Sequence, residues 1–213
     1  MNQRHQTVRS VGRLAFAVLA LNLVTVFSAH AHHPMGGKMP STFVEGLLSG
    51  LGHPVIGIDH LAFIVAVGVA VGVAGLSLAI PAVFVGASAL GVAAHVSGVS
   101  VPGVELVVAT SVVLAGGLLA AGGTERLNMR DWTALFGVAG LFHGYAYGES
   151  IFGAEAAPLS AYLLGLVIVQ TVLATTVAWL IRRKGAAMLV ARLTGAVIAG
   201  IGLAALAGQI VPA

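Results

Sequence analysis

The string His53-Pro-Val-Ile-Gly-Ile-Asp59-His60 puts two imidazoles and a carboxylate at the head of a long apolar run. Three further places carry similar groups: His95, Glu105, and Phe142-His143-Gly-Tyr145-Ala-Tyr147-Gly-Glu149. The chain has no Cys, which excludes disulfides, thiolate metal sites and iron–sulfur clusters. Imidazole nitrogen and carboxylate oxygen without sulfur suit a borderline divalent ion such as Ni, Co, Zn or Cu(II). The candidate metal ligands are therefore His53, Asp59, His60, His95, Glu105, His143 and Glu149. His32-His33-Pro34-Met35 adds a second set, a free amine beside adjacent imidazoles if an export signal is removed just before it.

Spacing limits what these groups can do. On a continuous helix His53 and His60 would share a face about 10 Å apart, too far to share an ion held at about 2 Å. Pro54 suits a first helical position, with His53 where the helix begins. Either the chain unwinds around Pro54 and Gly57, or the two histidines serve successive stations, as broken helices do in transporters. Blander roles stand beside these. His95 can bridge helices by a hydrogen bond, and Glu105, after Pro102-Gly103, can be a first-turn acid favoured by the helix dipole. Glu149 and Glu155 can be solvated loop acids, and Tyr145 and Tyr147 members of an interfacial belt. Adjacent Asp59 and His60 point to function, because ionisable groups are expensive in hydrocarbon.

The elements that position these residues follow from composition. Of 213 residues, 58% are hydrophobic and 8% charged, with a mean hydropathy of +1.02. A soluble domain is near a quarter charged, so the expectation is an all-α polytopic membrane bundle with about six transmembrane helices. No Asp, Glu, Lys or Arg occurs from Leu61 to Val104, room for two crossings. Spans are expected at 54–74, 77–95, 103–122, 132–149, 158–181 and 188–210. Residues 43–51 are apolar but too short to cross, and read as an interfacial or re-entrant piece.

Arg4, Arg9 and Arg13, the apolar stretch Leu14 to Phe27 and Ala29-His30-Ala31 read as a cleaved signal peptide over 1–31. An exported segment (32–53) and a six-helix domain (54–213) then follow; an uncleaved first helix is the alternative. The mature chain would carry seven basic and seven acidic residues, which leaves no electrostatic footprint for nucleic acid. Arg126, Arg130, Arg182, Arg183, Lys184 and Arg192 cluster at connections near 75, 123–131 and 182–187, against Lys38 alone on the other side. The positive-inside rule then puts the mature N-terminus in the periplasm, the protein in the bacterial inner membrane, and every candidate ligand toward the periplasmic side. Gly140, Gly144 and Gly148 on the fourth span, and Gly68 and Gly72 on the first, suit close packing, so those two helices are candidate neighbours.

With these strings in view, the sequence resembles the HupE/UreJ family of hydrogenase and urease accessory permeases over essentially the whole mature chain. The family's His-x5-Asp-His hallmark stands as His53, Asp59 and His60 in HPVIGIDHLAFIVAVGVAVG, and its third-span pattern as VPGVELVVATSVVLAGGLLA with Glu105. The second hallmark, an FHGxAHG-type stretch followed by an acid, is FHGYAYGE here, with Tyr145 and Tyr147 where relatives often carry His. The resemblance implies a secondary transporter, not an enzyme, with nickel or cobalt as substrate and no permanently bound cofactor. Its partners would be the bilayer, the ion and metalloenzyme-maturation proteins. The missing imidazoles leave copper, zinc and iron open beside nickel and cobalt. No Gly-x4-Gly-Lys-Ser/Thr loop is present for ATP. The alternatives are a non-transporting membrane metal-binding accessory protein or metalloenzyme, or a purely structural subunit.

Overall fold

The computed structural model describes residues 38–125, 127–184 and 188–211. They form seven helices: α1 (Phe43–Ile56), α2 (Ile58–Val73), α3 (Ile80–Val96), α4 (Val104–Ala120), α5 (Met129–Gly148), α6 (Ala156–Lys184) and α7 (Met188–Ile210). Short 3-10 turns lie at Gly123–Glu125 and Glu149–Ile151, and no strand occurs among the described residues. The expected signal peptide and the pair His32 and His33 lie outside the described residues.

α6 and α7 are each long and apolar enough to cross a membrane, and α1 with α2 qualifies only as a bent pair, a broken span or a re-entrant loop. α3 and α4 are apolar helices of 17 residues, about 25 Å each at 1.5 Å per residue. α5 has 20 residues. The last expected span matches α7, and the ends of α3, α4, α5 and α6 fall within three residues of expectation.

The first span differs. Residues 43–51 are part of a 14-residue helix that runs through position 53/54, the expected edge of the membrane domain. Thr42 and Glu45 start it with a capping box, the Thr42 hydroxyl accepting from the Glu45 N–H and the Glu45 carboxylate from the Thr42 N–H. Pro54 lies in its last turn rather than at a helix start, where its missing N–H leaves the Gly50 carbonyl without the usual helical donor. The chain breaks at Gly57, and α2 leaves at 78° to α1.

α2 is the centre of the bundle. Phe63, Ile64, Ala66, Val67, Ala70 and Val71 are fully buried, and the helix packs on α3, α4, α6 and α7. A helix apolar all round belongs in such a place. α7 buries only a thin stripe, Ala191, Gly195, Ile198 and Gly202, and presents Leu189, Val190, Val197 and Leu203 outward.

Glycine lets helix backbones touch. Gly68 and Gly72 of α2 lie on Ala174, Val177, Ala178 and Ile181 of α6. Gly140, Gly144 and Gly148 of α5 lie on Phe84, Ser88 and His95 of α3. Each row faces a helix running in its own direction, so the two rows do not face each other as the spacing suggested. α4 and α7 meet antiparallel through Gly116, Gly195 and Gly202.

The basic residues gather at one end. The Arg182 guanidinium donates to the carbonyls of Val71 (3.3 Å) and Leu76, tying the end of α6 to that of α2, where the helix dipole favours a cation. Arg192 lies against Gly122, just past α4, and Arg183 stacks over the Trp179 ring at 4.4 Å. The opposite end holds the start of α2, α4 and α6 and the close of α3 and α5.

Candidate metal-handling site

At that opposite end, the break after α1 folds His53 back toward His60. Their ring centroids are 5.9 Å apart, where an unbroken helix would separate them by about 10 Å. Two imidazoles on one tetrahedral ion with metal–nitrogen bonds near 2.0–2.1 Å have centroids about 5 Å apart. The chain has thus taken the first of the two routes the spacing allowed. Gly57 is required sterically: a Cβ there would stand 2.7 Å from Cδ2 of His60.

His53, in the last turn of α1, meets hydroxyls from two other elements. Its Nδ1 lies 2.9 Å from the Tyr162 hydroxyl of α6 and 3.0 Å from the Ser150 hydroxyl of the second 3-10 turn. Tyr162 also donates to the Tyr147 carbonyl at 2.8 Å. α6 reaches this point because Gly46 and Gly50 of α1 let the Pro158 and Tyr162 backbone lie against them.

One layer deeper, Nδ1 of His60 and Nδ1 of His143 are 2.9 Å apart, and Nε2 of His143 is 2.9 Å from the Ser111 hydroxyl of α4. One assignment of the protons satisfies all of these contacts. Ser111 donates its hydrogen to the Val108 carbonyl at 2.7 Å, so it accepts from Nε2–H of His143. Nδ1 of His143 is then the acceptor, and His60 donates to it from Nδ1. An N···N distance of 2.9 Å holds a proton; two nitrogens on one tetrahedral ion stand about 3.3 Å apart. A widening of a few tenths of an ångström separates the two states. His143 is fully buried, with Phe63 packed on its ring at 4.5 Å, and Tyr147 covers His60 at 4.4 Å.

Carboxylates flank the imidazoles. Asp59 accepts the backbone N–H of His60 at 2.8 Å and lies within electrostatic range of the His60 and His143 rings. Glu105, at the start of α4, is within range of Asp59 and Glu149. Asp59 and Glu105 are half-buried, and Glu149 is exposed. Among the described residues no three His, Asp or Glu side chains are placed to hold one metal ion together. The imidazoles form a row of neighbouring pairs, not a closed chelate.

His95 stands apart. Its ring packs on Tyr145 (4.5 Å) and Phe152 (5.6 Å), and no described contact joins it to His53, His60 or His143. Tyr145 donates to the Val99 carbonyl at 2.6 Å and accepts from the Val101 N–H at 2.9 Å, so it ties down the α3–α4 loop. Ser111, Ser150, Tyr162, Ser88 and Gln170 are buried polar residues that the sequence reading passed over. Gln170 carried a signal, being an amide in the middle of an otherwise apolar span. The serines carried none, since hydroxyls are common in packed membrane helices.

Comparison with known proteins gives the family. The profile of the family described as HupE / UreJ protein matches residues 19–205. Protein HupE of Rhizobium leguminosarum bv. viciae is 30% identical over 199 residues, 92% of this chain and 98% of that protein. No solved structure matches the chain significantly.

Proposed function

The chain belongs to the HupE/UreJ family, and from that membership and the histidine row we propose that it is a secondary permease for a divalent transition-metal ion, nickel or cobalt first. The carrying observation is the sequence of contacts His53 to His60 to His143, made across three helices by one break at Gly57. Imidazoles capture the ion from the periplasmic side, with the mature N-terminus outside and Asp59 and Glu105 offsetting its charge. The ion replaces the proton shared by the two Nδ1 atoms, and neutral His60 then carries its hydrogen on Nε2. Two-ligand stations favour handing on over holding, which supports a permease over a resident metalloenzyme. The membrane potential supplies about 4.6 kcal/mol per 100 mV for a divalent ion, an accumulation of about 10³-fold.

Flux decides the matter. Purified protein in proteoliposomes, given an inside-negative potential, should accumulate radiolabelled nickel or cobalt, and competition with Ni, Co, Cu, Zn and Fe should rank the substrates. Binding without accumulation of any of the five would end the permease reading in favour of a metal-binding accessory role.

A further inference from the structure

Beside the three-histidine row, the bundle holds buried polar atoms without a hydrogen-bond partner. Four buried side-chain atoms among the described residues lack a hydrogen-bond partner: Nδ1 of His95, Nε1 of Trp132, the Tyr147 hydroxyl and Oε1 of Gln170. The last two lie about one helical turn apart in the bundle. Gln170 is 1% exposed and lies fourteen residues into the 29-residue α6, the middle of the span. Its Nε2 makes a long 3.4 Å bond to the hydroxyl of Ser88, itself fully buried on α3. Ser88 is level with Gly144, whose backbone it touches, and so sits beside His143. Tyr147 is one turn further along α5, fully buried, and packs with Val92 and Leu166, one turn from Ser88 and Gln170 respectively. Helical side chains lean back toward their N-terminus, which on α5 is the direction of the Ser88–Gln170 layer, and the Tyr147 ring lies on His60 and His53. A buried amide oxygen without a donor is costly.

We propose that Gln170, Ser88 and Tyr147 form a second, oxygen-only cation station that receives the divalent ion from the His60–His143 pair. It rests on the permease reading and supplies the inward step. A partly dehydrated cation takes what the layer offers: an amide oxygen and two hydroxyl oxygens, with Asp59 within electrostatic range of Tyr147. Neutral oxygens hold a borderline ion less tightly than imidazoles do, so the station accepts and releases.

The test pairs flux with binding in the full-length protein, using nickel as the probe. Gln170→Leu should cut the initial rate of uptake into proteoliposomes about tenfold while calorimetry in detergent shows nickel bound within about threefold of wild type. Gln170→Glu should bind nickel about tenfold more tightly and release it more slowly, and Tyr147→Phe should lower the rate with binding intact. Uptake by Gln170→Leu within about twofold of wild type overturns the station. So does a Gln170→Glu protein that binds no more tightly, the result expected if Gln170 only bridges α6 and α3 or holds a structural water. If wild type itself moves no nickel, the permease reading falls, and the binding arm still decides whether the layer takes a cation.

Discussion

At the scale of single residues, the proposed site depends on two imidazoles close enough to trade a proton for an ion. His60→Ala removes one member of the 2.9 Å pair and should reduce uptake about a hundredfold, as should Asp59→Asn. His143→Ala should be nearly as damaging, whereas His95→Ala, which loses contacts with Tyr145 and Phe152, should cost about twofold. Radiometal uptake normalised to inserted protein reads all four, and normal transport by the first three would sink the site. Only neutral imidazole ligates, so uptake should weaken toward acid pH as the imidazoles become protonated; uptake that rises steadily as pH falls from about 7.5 to 5 would argue against histidine capture. Most of this was legible beforehand. A charge in an apolar run announces itself, which is why His53, Asp59, His60 and His143 stood out. The hydroxyls around them did not, because Ser111 and Tyr162 become visible only when α4 and α6 are placed beside the histidines.

The element that matters most is the break between α1 and α2. Gly57→Ala brings a Cβ to 2.7 Å from the His60 ring, and should lower uptake about tenfold while the protein inserts normally. Wild-type rates from that variant would mean the His53–His60 approach is incidental. On α5, Gly144→Val sets a branched side chain against the Ser88 backbone. Overpacking of that kind costs about 1–3 kcal/mol, to be read as a lower thermal unfolding midpoint in detergent; an unchanged midpoint would contradict the α3–α5 seam. Sequence placed α7 to the residue but separated 43–51 from the residues that follow, where one helix runs from Phe43 to Ile56. Hydropathy sees an apolar run, and a bend at one glycine leaves no mark in it. The partners of the glycine rows were equally hidden, since the spacing of Gly68 and Gly72 marks a contact face without saying which helix will meet it.

For the whole molecule, the separation of charge is the organising fact. Arg182, Arg183 and Arg192 lie at one end, and Asp59, Glu105, Glu149 and the three-histidine row at the other. Ser100, in the α3–α4 loop, and Ser77, between α2 and α3, are exposed at these two opposite ends. In intact cells, a single cysteine replacing Ser100 should react with a membrane-impermeant thiol reagent, and one replacing Ser77 only after the membrane is opened. The reverse pattern would put the histidines on the cytoplasmic side and turn uptake into export. The expected orientation rests on the basic residues alone, because the positive-inside rule needs only their positions in sequence.

α6 lies in step with both halves of the interrupted span, touching α1 at Gly46 and Gly50 and α2 at Gly68 and Gly72. It acts as a splint across a fracture. The angle at Gly57 cannot change without sliding α1 or α2 along that one unbroken rod, so the gap between His53 and His60 is set by a helix that owns neither. Damage to the rod's surface, for instance a bulky residue at Gly165 where it bears on Leu47 and Leu51, should therefore be felt as a misplaced imidazole in a distant part of the sequence.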